Sequence, residues 1–274
     1  MKNTTGSVGF MYGNRFGRFL LKTVMTLHLD RVAVWFLRSK LSKPMIGRYI
    51  KKNNIAVTEE EKASFKTFRE FFVRTRELES FEKAPERLIS PCDGWLSAFP
   101  IDSESCFSIK KSIYQLKDFL TDEELAKKYH NGTCLVFRLC ASDYHHYCYI
   151  DDGYQGENHF IPGKLHSVQP IACEKYPVFV LNRRSWCLLE TDNFGPVVQC
   201  EIGALVVGGI DNPNSNTRFT KGSEKGKFDL AGSTIVMLFE EGRIDLIPEF
   251  KDKLVGDTEA RVLQGMWVGN AITK

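Results

Sequence analysis

Residues 225–239 read KGKFDLAGSTIVMLF, and this stretch carries the pattern that decides the fold. A charged segment ends before Gly232, and Thr234–Phe239 then continues without any charge through apolar and β-branched side chains. A short apolar run that follows a Gly-Ser turn signal is typical of a β-strand. The stretch therefore predicts a turn at Gly232 and Ser233 and a strand directly after it.

Similar apolar runs recur from about residue 88 onwards, and Gly, Pro, Asn and Asp separate them. Several short strands at this spacing, with turn signals between them, are typical of a sandwich or a barrel. We therefore expect a β-rich body with a sandwich or barrel-like arrangement. The runs that suggest strands are Cys134–Leu139, Tyr147–Ile150, Val178–Leu181, Trp186–Leu189, Val197–Ile202, Ala204–Val207 and Thr234–Phe239.

The first part of the chain has a helical pattern instead. Within residues 10–52, Phe16 and Leu20 fall on one helical face, while Arg15 and Lys22 fall on another. A basic amphipathic helix of this kind can lie in a bilayer interface, or it can pack on the protein's own core. Two further helices are expected, over Thr58–Phe72 and over residues 115–130. In the second of these, Thr121–Glu123 lies either near the middle of one helix or at the start of another.

These patterns predict an α+β fold in two parts. Residues 1–80 form a helical, membrane-associating N-terminal region, and residues 81–274 form a β-rich catalytic domain. A chain of 274 residues is long enough to bury a substantial core in such an arrangement.

Charge is distributed unevenly between the two ends of the chain. Residues 1–52 contain eleven Lys or Arg and one acid, Asp30, so this segment carries about +10. The remainder carries about −7, because the net charge is +3. Such an asymmetry suggests that one end meets a polyanion, either an anionic membrane or nucleic acid. A solvated basic surface without a partner is the alternative.

We expect neither an export signal nor a membrane span in this chain. The most apolar stretch, Phe19–Leu37, is interrupted by Lys22, Asp30 and Arg31, whereas a span needs about 20 mostly apolar residues. No two of the eight cysteines have C-x-x-C spacing, so we expect buried, reduced thiols and no metal site. The cysteines are Cys92, Cys106, Cys134, Cys140, Cys148, Cys173, Cys187 and Cys200.

The Gly232–Ser233 bond can do more than form a turn. A serine hydroxyl can attack the preceding carbonyl to form an ester, and elimination and loss of ammonia then leave a pyruvoyl group. Glycine suits the position because it tolerates a strained backbone, and the serine needs a neighbouring base because a free hydroxyl is a weak nucleophile. By itself, however, the tripeptide indicates only a turn.

The order of several short blocks changes that interpretation, because together they resemble the phosphatidylserine decarboxylase family from about Tyr12 to the C-terminus. Ala231–Thr234 resembles the family's cleavage element, and the stretch from Thr258 to Gly269 resembles its closing block. The other blocks are Phe68–Arg74, Leu88–Gly94 (the "SPxDG" element), Asp143–Cys148 (the "DYHRxH" element), Ile161–Val168, Asn182–Arg184 and Gly203–Ile210.

The resemblance implies roles for individual residues. It makes Gly232 and Ser233 the self-cleavage site and Ser233 the precursor of a covalent pyruvoyl cofactor. It makes Asp93 the acid of an Asp-His-Ser relay that activates Ser233, by the logic of serine hydrolases. His145 would handle a proton at the substrate. The alternative for Asp93 is an Asp-Gly turn without catalytic duty.

The chain departs from the family pattern at Cys148, where the relay histidine normally stands. Three explanations remain open: His145 or His146 reaches Ser233, Cys148 itself acts as a base, or self-processing is lost. A thiol with a reference pKa of about 8.5 is a poor base unless that pKa is depressed. The hypothesis we favour is a nearby histidine, because the cleavage element and Asp93 are both kept.

The resemblance also implies partners. Phosphatidylserine would be the substrate and phosphatidylethanolamine the product, made at the cytoplasmic face of a membrane by a peripheral enzyme. The large and small chains would stay together as a processed heterodimer, with a dimer of that heterodimer as an open alternative, and no nucleic acid would be bound. Three rivals remain: an unprocessed lipid-binding paralogue, a pyruvoyl decarboxylase for a soluble amino acid, and a nucleic-acid-binding module.

Overall fold

The computed structural model describes residues 7–27, 29–76, 80–109, 112–140, 142–204, 209–230, 233–254 and 258–272. Helices dominate the N-terminal part, and a body of several antiparallel sheets follows, which confirms the α+β class. None of the sheets closes into a barrel over these ranges. The body is therefore a set of open, packed sheets.

The N-terminal helices appear where the amphipathic pattern predicts them, in separate segments. Asn14 caps the second of these helices, since its side chain accepts a hydrogen bond from the Gly17 amide at 2.6 Å. Helix α4 begins with a proline in its first turn and ends at Asn54, which has a left-handed backbone. The helices are α1 (Ser7–Gly13), α2 (Arg15–Thr26), α3 (Leu29–Arg38) and α4 (Lys43–Asn53), with a 3-10 turn at Lys40–Ser42.

The single helix expected over Thr58–Phe72 is wrong, because the structure has two short helices there. Thr58 and Glu61 form a capping box at the first start, as the acidic first turn suggests. The chain then becomes extended at Phe65, and Thr67 caps a new start. Residues 115–130 also divide, with Asp122 capping the second helix. These helices are α5 (Glu59–Ser64), α6 (Phe68–Phe72), α7 (Leu116–Leu120) and α8 (Glu123–Lys127).

The body is built on a nine-stranded antiparallel sheet with the order β12-β7-β9-β10-β14-β5-β2-β16, and β8 also pairs with β9. Two three-stranded sheets, β1-β17-β15 and β11-β13-β6, and the hairpin β3-β4 complete it. The strands are β1 (Arg87–Ile89), β2 (Gly94–Pro100), β3 (Cys106–Ile109), β4 (Ser112–Gln115), β5 (Thr133–Leu139), β6 (His146–Cys148), β7 (Gly153–Gln155), β8 (His159–Ile161), β9 (Arg184–Thr191), β10 (Gly195–Gly203), β11 (Gly209–Asp211), β12 (Thr217–Phe219), β13 (Glu224–Asp229), β14 (Ser233–Phe239), β15 (Ile244–Leu246), β16 (Ala260–Val262) and β17 (Trp267–Ala271).

Most of the apolar runs are strands, as predicted, but Val178–Leu181 is a helical turn. The Leu181 amide donates to the Pro177 carbonyl at 3.1 Å, which closes the turn. A four-residue apolar run cannot by periodicity distinguish a strand from a buried helix. The run Ala204–Val207 lies outside the described residues except for Ala204, which follows β10. The remaining short helices are α9 (Pro170–Cys173), α10 (Val178–Leu181) and α11 (Pro248–Lys253).

Strand β14 lies in the middle of the large sheet, and all seven of its residues are buried. Its side chains alternate between two hydrophobic clusters, one on each face of the sheet. Val236 and Leu238 join the cluster that contacts α1 and α2, whereas Ile235 and Met237 join the cluster beneath the small sheets. The same alternation directs Ser233, the first residue of β14, toward the small sheets.

All eight cysteines carry reduced thiols, as expected, and all but Cys140 are buried. No helix in the described parts of the chain is both long enough and apolar enough to cross a bilayer.

Candidate active site

Ser233 is a buried nucleophile without a hydrogen-bond partner. It pairs across the sheet with Leu139 of β5 and Gly203 of β10, and its side chain is 1% exposed. Within the ranges that the structure describes, its Oγ has no donor or acceptor in reach. Leaving a buried hydroxyl unsatisfied costs about 1–3 kcal/mol, so such a group in a native structure calls for an explanation. Gly232, the other half of the predicted cleavage site, lies outside the described residues.

Asp93 is held rigidly at the start of β2. Arg76 donates to both of its carboxylate oxygens at 3.1 Å, and the Gln264 amide donates to Oδ1 at 2.9 Å. A Cβ on the next residue, Gly94, would lie 2.8 Å from the Arg138 carbonyl oxygen, so glycine allows β2 to approach β5 closely.

The start of β2 and the start of β14 lie two strand spacings apart, because β5 runs between them. Leu139 of β5 pairs with Ser233, and Gly94 packs on the backbone at Arg138 and Leu139. With neighbouring strands about 4.8 Å apart, the backbones at Asp93 and Ser233 are about 10 Å apart. One imidazole between two side chains can connect such positions.

His145 is fully buried and presents one free nitrogen. Its Nδ1 is 2.8 Å from the Asp143 carbonyl oxygen, and a carbonyl only accepts, so Nδ1 carries the hydrogen and Nε2 is the basic atom. No group in the described chain bonds to Nε2. Burial lowers the pKa of His145 to about 4, and the Asp93 carboxylate is close enough to oppose that shift. At neutral pH the ring is therefore an uncharged base.

Phe72 and Asp143 fix the position of the His145 ring. Phe72 of α6 lies against it with a centroid distance of 4.2 Å. The Asp143 carboxylate accepts from the Cys140 amide at 2.7 Å and forms an ion pair with Arg261 at 2.9 Å. An N-terminal helix and the C-terminal strand β16 thus both hold the histidine in place.

His146 is engaged elsewhere. Its Nε2 donates to the Val73 carbonyl oxygen at 3.2 Å, and its ring stacks on Tyr144 at 4.9 Å. Its Nδ1 lies 3.1 Å from a Glu224 carboxylate oxygen, an ion-pair distance without hydrogen-bond geometry. Both ring nitrogens therefore face protein oxygens, and His146 is less available as a base than His145.

Cys148 lies in the apolar cluster beneath the sheet and is 1% exposed. Burial raises the pKa of its thiol to about 12, and the nearby Asp93 carboxylate adds to the shift. A thiol with this pKa stays protonated at neutral pH and does not serve as a ready base. His145, which keeps a free Nε2, is thus a better candidate base than His146 or Cys148.

Asp93 interacts electrostatically with both His145 and Cys148, and Cys148 belongs to the apolar cluster on the face toward which Ser233 points. Sequence reasoning did not identify the groups that position them. Arg76 and Gln264 donate hydrogen bonds to Asp93. Phe72 and Asp143 contact His145, and Arg261 forms an ion pair with Asp143. Four of these residues lie in recognised blocks, so the sequence carried a signal for their positions but none for their contacts: Phe72, Asp143, Arg261 and Gln264. Arg76 lies outside the blocks.

The sequence of this chain is similar to those of known proteins. The family model described as phosphatidylserine decarboxylase matches residues 68–266, which include Asp93, His145 and Ser233. This chain belongs to the phosphatidylserine decarboxylase family. Its members are carboxy-lyases, so the chain is placed among enzymes.

Curated relatives agree with this family along nearly the whole chain. A protein of Clostridium acetobutylicum named phosphatidylserine decarboxylase proenzyme 2 is 40% identical over 268 residues, 96% of this chain and 91% of the relative. Phosphatidylserine decarboxylase proenzymes of Clostridium beijerinckii and Ruminiclostridium cellulolyticum are 39% and 36% identical, over 85% and 96% of this chain and 81% and 91% of the relatives. The word proenzyme describes those relatives as precursors.

Proposed function

We propose that this decarboxylase family member cuts itself between Gly232 and Ser233 and then converts phosphatidylserine to phosphatidylethanolamine and carbon dioxide. The observation that carries the proposal is the buried hydroxyl of Ser233, which has no partner in the described structure, at the start of a central strand and two strands away from β2, which Asp93 directly precedes. The names of the relatives, which include both the substrate and the word proenzyme, support it.

The self-cleavage uses only atoms of the chain and one water. Ser233 Oγ attacks the Gly232 carbonyl carbon and loses its proton to a base, while the Ser233 nitrogen gains a proton as the amide bond breaks and an ester forms. Removal of the Ser233 Cα proton breaks the Cβ–Oγ bond, which frees the Gly232 carboxylate and leaves dehydroalanine. Water then replaces nitrogen, and ammonia departs from the new pyruvoyl end.

His145 is the base that we assign to the first step. Its Nε2 is unprotonated and free of other partners, and its low pKa keeps it uncharged until the proton arrives. The Asp93 carboxylate, fixed by Arg76, stabilises the imidazolium that then forms. Positioned general bases of this kind contribute about 10²- to 10⁴-fold in rate.

The residues around Ser233 fit a pyruvoyl group at that position. Ser233 is buried and its Oγ has no bond in the described structure to give up, so conversion of this side chain disrupts no contact there. The pyruvoyl carbonyl supplies an electron sink that weakens the bond between the substrate's Cα and its carboxylate. His145 is suited to hold or return a proton at Cα, and the apolar side chains nearby exclude water.

The two chains would stay together after the cut. Residues from Ser233 onward include β14, which pairs along its whole length with β5 and β10 of the other chain. Strands β16 and β17 also pair with β2 and β1. This pairing supports a processed heterodimer.

We also place the enzyme at the cytoplasmic face of a membrane, as a peripheral protein. Tyr12 and Leu21 anchor α1 and α2 on the body, whereas Phe16, Phe19 and Trp35 are each 65–69% exposed. Exposed aromatic side chains next to basic residues supply the two signals that stable interfacial binding requires. An anionic lipid substrate would attract the same basic segment.

The second candidate is a lipid-binding protein that remains uncut. It is favoured by one observation, a buried cysteine, Cys148, at the position where the resemblance places a relay histidine. Such a protein would keep the membrane surface but would lack the cofactor.

Intact mass of the purified protein, beside a Ser233→Ala control, tests the proposal. We expect a fragment ending at Gly232 and a second fragment with a blocked pyruvoyl end, and one uncut chain in the control. The cut protein should then release carbon dioxide from phosphatidylserine vesicles, and soluble serine should be a poor substrate. A single chain in both samples would contradict self-cleavage and leave the lipid-binding candidate.

A further inference from the structure

We infer that Asp229 is a positioning residue for the self-cleavage, and that the N-terminal helices hold it through Arg38 and Arg69. This inference rests on the proposed function, since it concerns the bond between Gly232 and Ser233. The set formed by Arg38, Arg69 and Asp229 is called the arginine latch below.

The contacts of the latch are short and converge on one carboxylate. Arg69 of α6 donates from Nε to both oxygens of Asp229 at 2.9 Å, and Arg38 at the end of α3 donates to Oδ2 at 2.8 Å. Asp229 is 7% exposed, whereas both arginines remain partly open to water. A nearly buried carboxylate with two cations from distant segments is more than a surface ion pair, because charge-assisted hydrogen bonds of this kind fix geometry.

The small sheet is shaped to receive this side chain. Asp229 is the last residue of β13, and it pairs with Gly209 of β11. A Cβ at Gly209 would lie 2.8 Å from the Asp229 Cβ, so a larger residue there would push the carboxylate away from the arginines.

Leu230, the next residue, is also held by α6. Its φ is +52°, in the left-handed region that costs a non-glycine residue about 1–2 kcal/mol. Its side chain is 3% exposed in a cluster with Phe68, Phe71 and Phe72. The latch and this cluster together keep a strained turn in place directly before the cleavage site.

Both ends of the cleavage segment are therefore fixed. The arginine latch and the aromatic cluster fix Leu230, and the register of β14 fixes Ser233. Only residues 231 and 232 connect these two positions. The attack of Oγ on the Gly232 carbonyl depends on alignment, and a misplacement of about 1 Å can cost about 10²-fold in rate. Loss of the contacts between Asp229 and the two arginines should thus slow the self-cleavage, although Asp229 contributes no atom to the reaction.

The test compares Asp229→Asn with Asp211→Asn by intact mass over time. Asp211 is a matched control, because it lies on β11 of the same sheet and pairs with Lys227 of β13 at 3.3 Å, but it is half-exposed. We expect Asp229→Asn to be cut at least tenfold more slowly than the parent and Asp211→Asn to be cut at the parent rate. Asp229→Glu, which keeps the charge, should recover part of the rate.

A second readout separates positioning from general damage. The fraction of Asp229→Asn that does become cut should decarboxylate at the parent rate per pyruvoyl group, within about threefold, since Asp229 lies outside the reacting centre. A loss of folded structure would lower both the cutting and the turnover. Equal cutting of Asp229→Asn and the parent would overturn the inference and leave self-cleavage standing.

Two other outcomes also decide the matter. If the parent protein itself stays uncut, both the proposed function and this inference are contradicted. If Asp229→Asn does not fold, the double variant Arg38→Gln and Arg69→Gln replaces it, because both arginine side chains are partly exposed. Cutting of that double variant at the parent rate would equally overturn the latch.

Discussion

The N-terminal helices and the β-rich body depart from the usual distribution of side chains in opposite ways. Helices α2 and α3 expose Phe16, Phe19 and Trp35 to solvent, although large aromatic groups are normally buried. The body buries Lys225 and Glu201 with no exposed area at all, 2.8 Å apart. Exposed apolar patches mark contact surfaces, and buried charges mark sites where geometry must be unique. One region thus presents exposed aromatic side chains, and the other encloses a charged pair.

The two regions meet at the candidate active site. Arg38 and Arg69 reach from the helices to Asp229, Arg76 reaches to Asp93, and Phe72 covers His145. The helical region and the β-rich body are thus not independent modules. A change in the helices can alter the chemistry of the body through these contacts.

The largest expected effect is the loss of the buried charge pair. Glu201→Gln leaves the Lys225 ammonium without its counter-ion, and breaking a buried pair in this way costs about 3–5 kcal/mol. We expect a fall in Tm on the order of 10 °C by calorimetry. Glu59→Gln, which breaks the exposed pair with Lys62 in α5, should change stability by no more than about 0.5 kcal/mol. Equal shifts in the two variants would remove the contrast between the regions.

The next effect concerns the base within the body. His145→Ala should slow self-cleavage by about 10²-fold, because it removes the free Nε2 beside Asp93. His146→Gln should be cut within a few-fold of the parent rate, since His146 already contacts Val73 and Glu224. The cut fraction measured by intact mass over time distinguishes them, and the reverse order would transfer the base to His146.

A smaller effect should appear at the helical surface. Lys22→Gln with Arg31→Gln removes two charges beside the exposed aromatic side chains, and each is worth about 1 kcal/mol near anionic lipid. Binding to phosphatidylserine-containing vesicles, measured by co-sedimentation, should weaken by about thirtyfold. Lys127→Gln with Lys128→Gln removes the same charge from the body and should leave binding unchanged. A similar loss in both pairs would indicate general attraction rather than a membrane-facing surface.

The smallest effect is expected at Cys148. Because burial keeps its thiol protonated, Cys148→Ala should be cut within threefold of the parent rate, with a loss of about 1 kcal/mol in stability. Intact mass and thermal melting measure the two quantities. A loss of tenfold or more in cutting, at unchanged Tm, would instead give the thiol a part in the relay.

Local patterns in the sequence are enough to predict much of the fold. The apolar run after Ser233 predicts β14, and Thr58 followed by Glu61 predicts a helix start. The break at Phe65 and the helical turn at Val178–Leu181 are not predictable in this way. Both depend on the tertiary surroundings, which override weak local preferences in short segments.

The same distinction applies to the site. Asp93, His145 and Ser233 can be named from motifs because each lies in a recognisable block. Their supporting contacts cannot be named in this way, since Arg76 is 17 residues from Asp93 and Gln264 is 171 residues from it. Such contacts exist only once the strands are paired. The arginine latch, which joins positions 160 and 191 residues apart, is hidden from sequence patterns for the same reason.

The central place of β14 also bears on the lifetime of the enzyme. Under the proposed cut, the strand that completes the large sheet belongs to a different molecule from the strands on either side of it. The uncut chain folds in a unimolecular reaction, but the mature protein could re-form only by a bimolecular encounter of two fragments. Its persistence would then be governed by the rate of unfolding rather than by an equilibrium, so heating should inactivate it irreversibly while Ser233→Ala refolds.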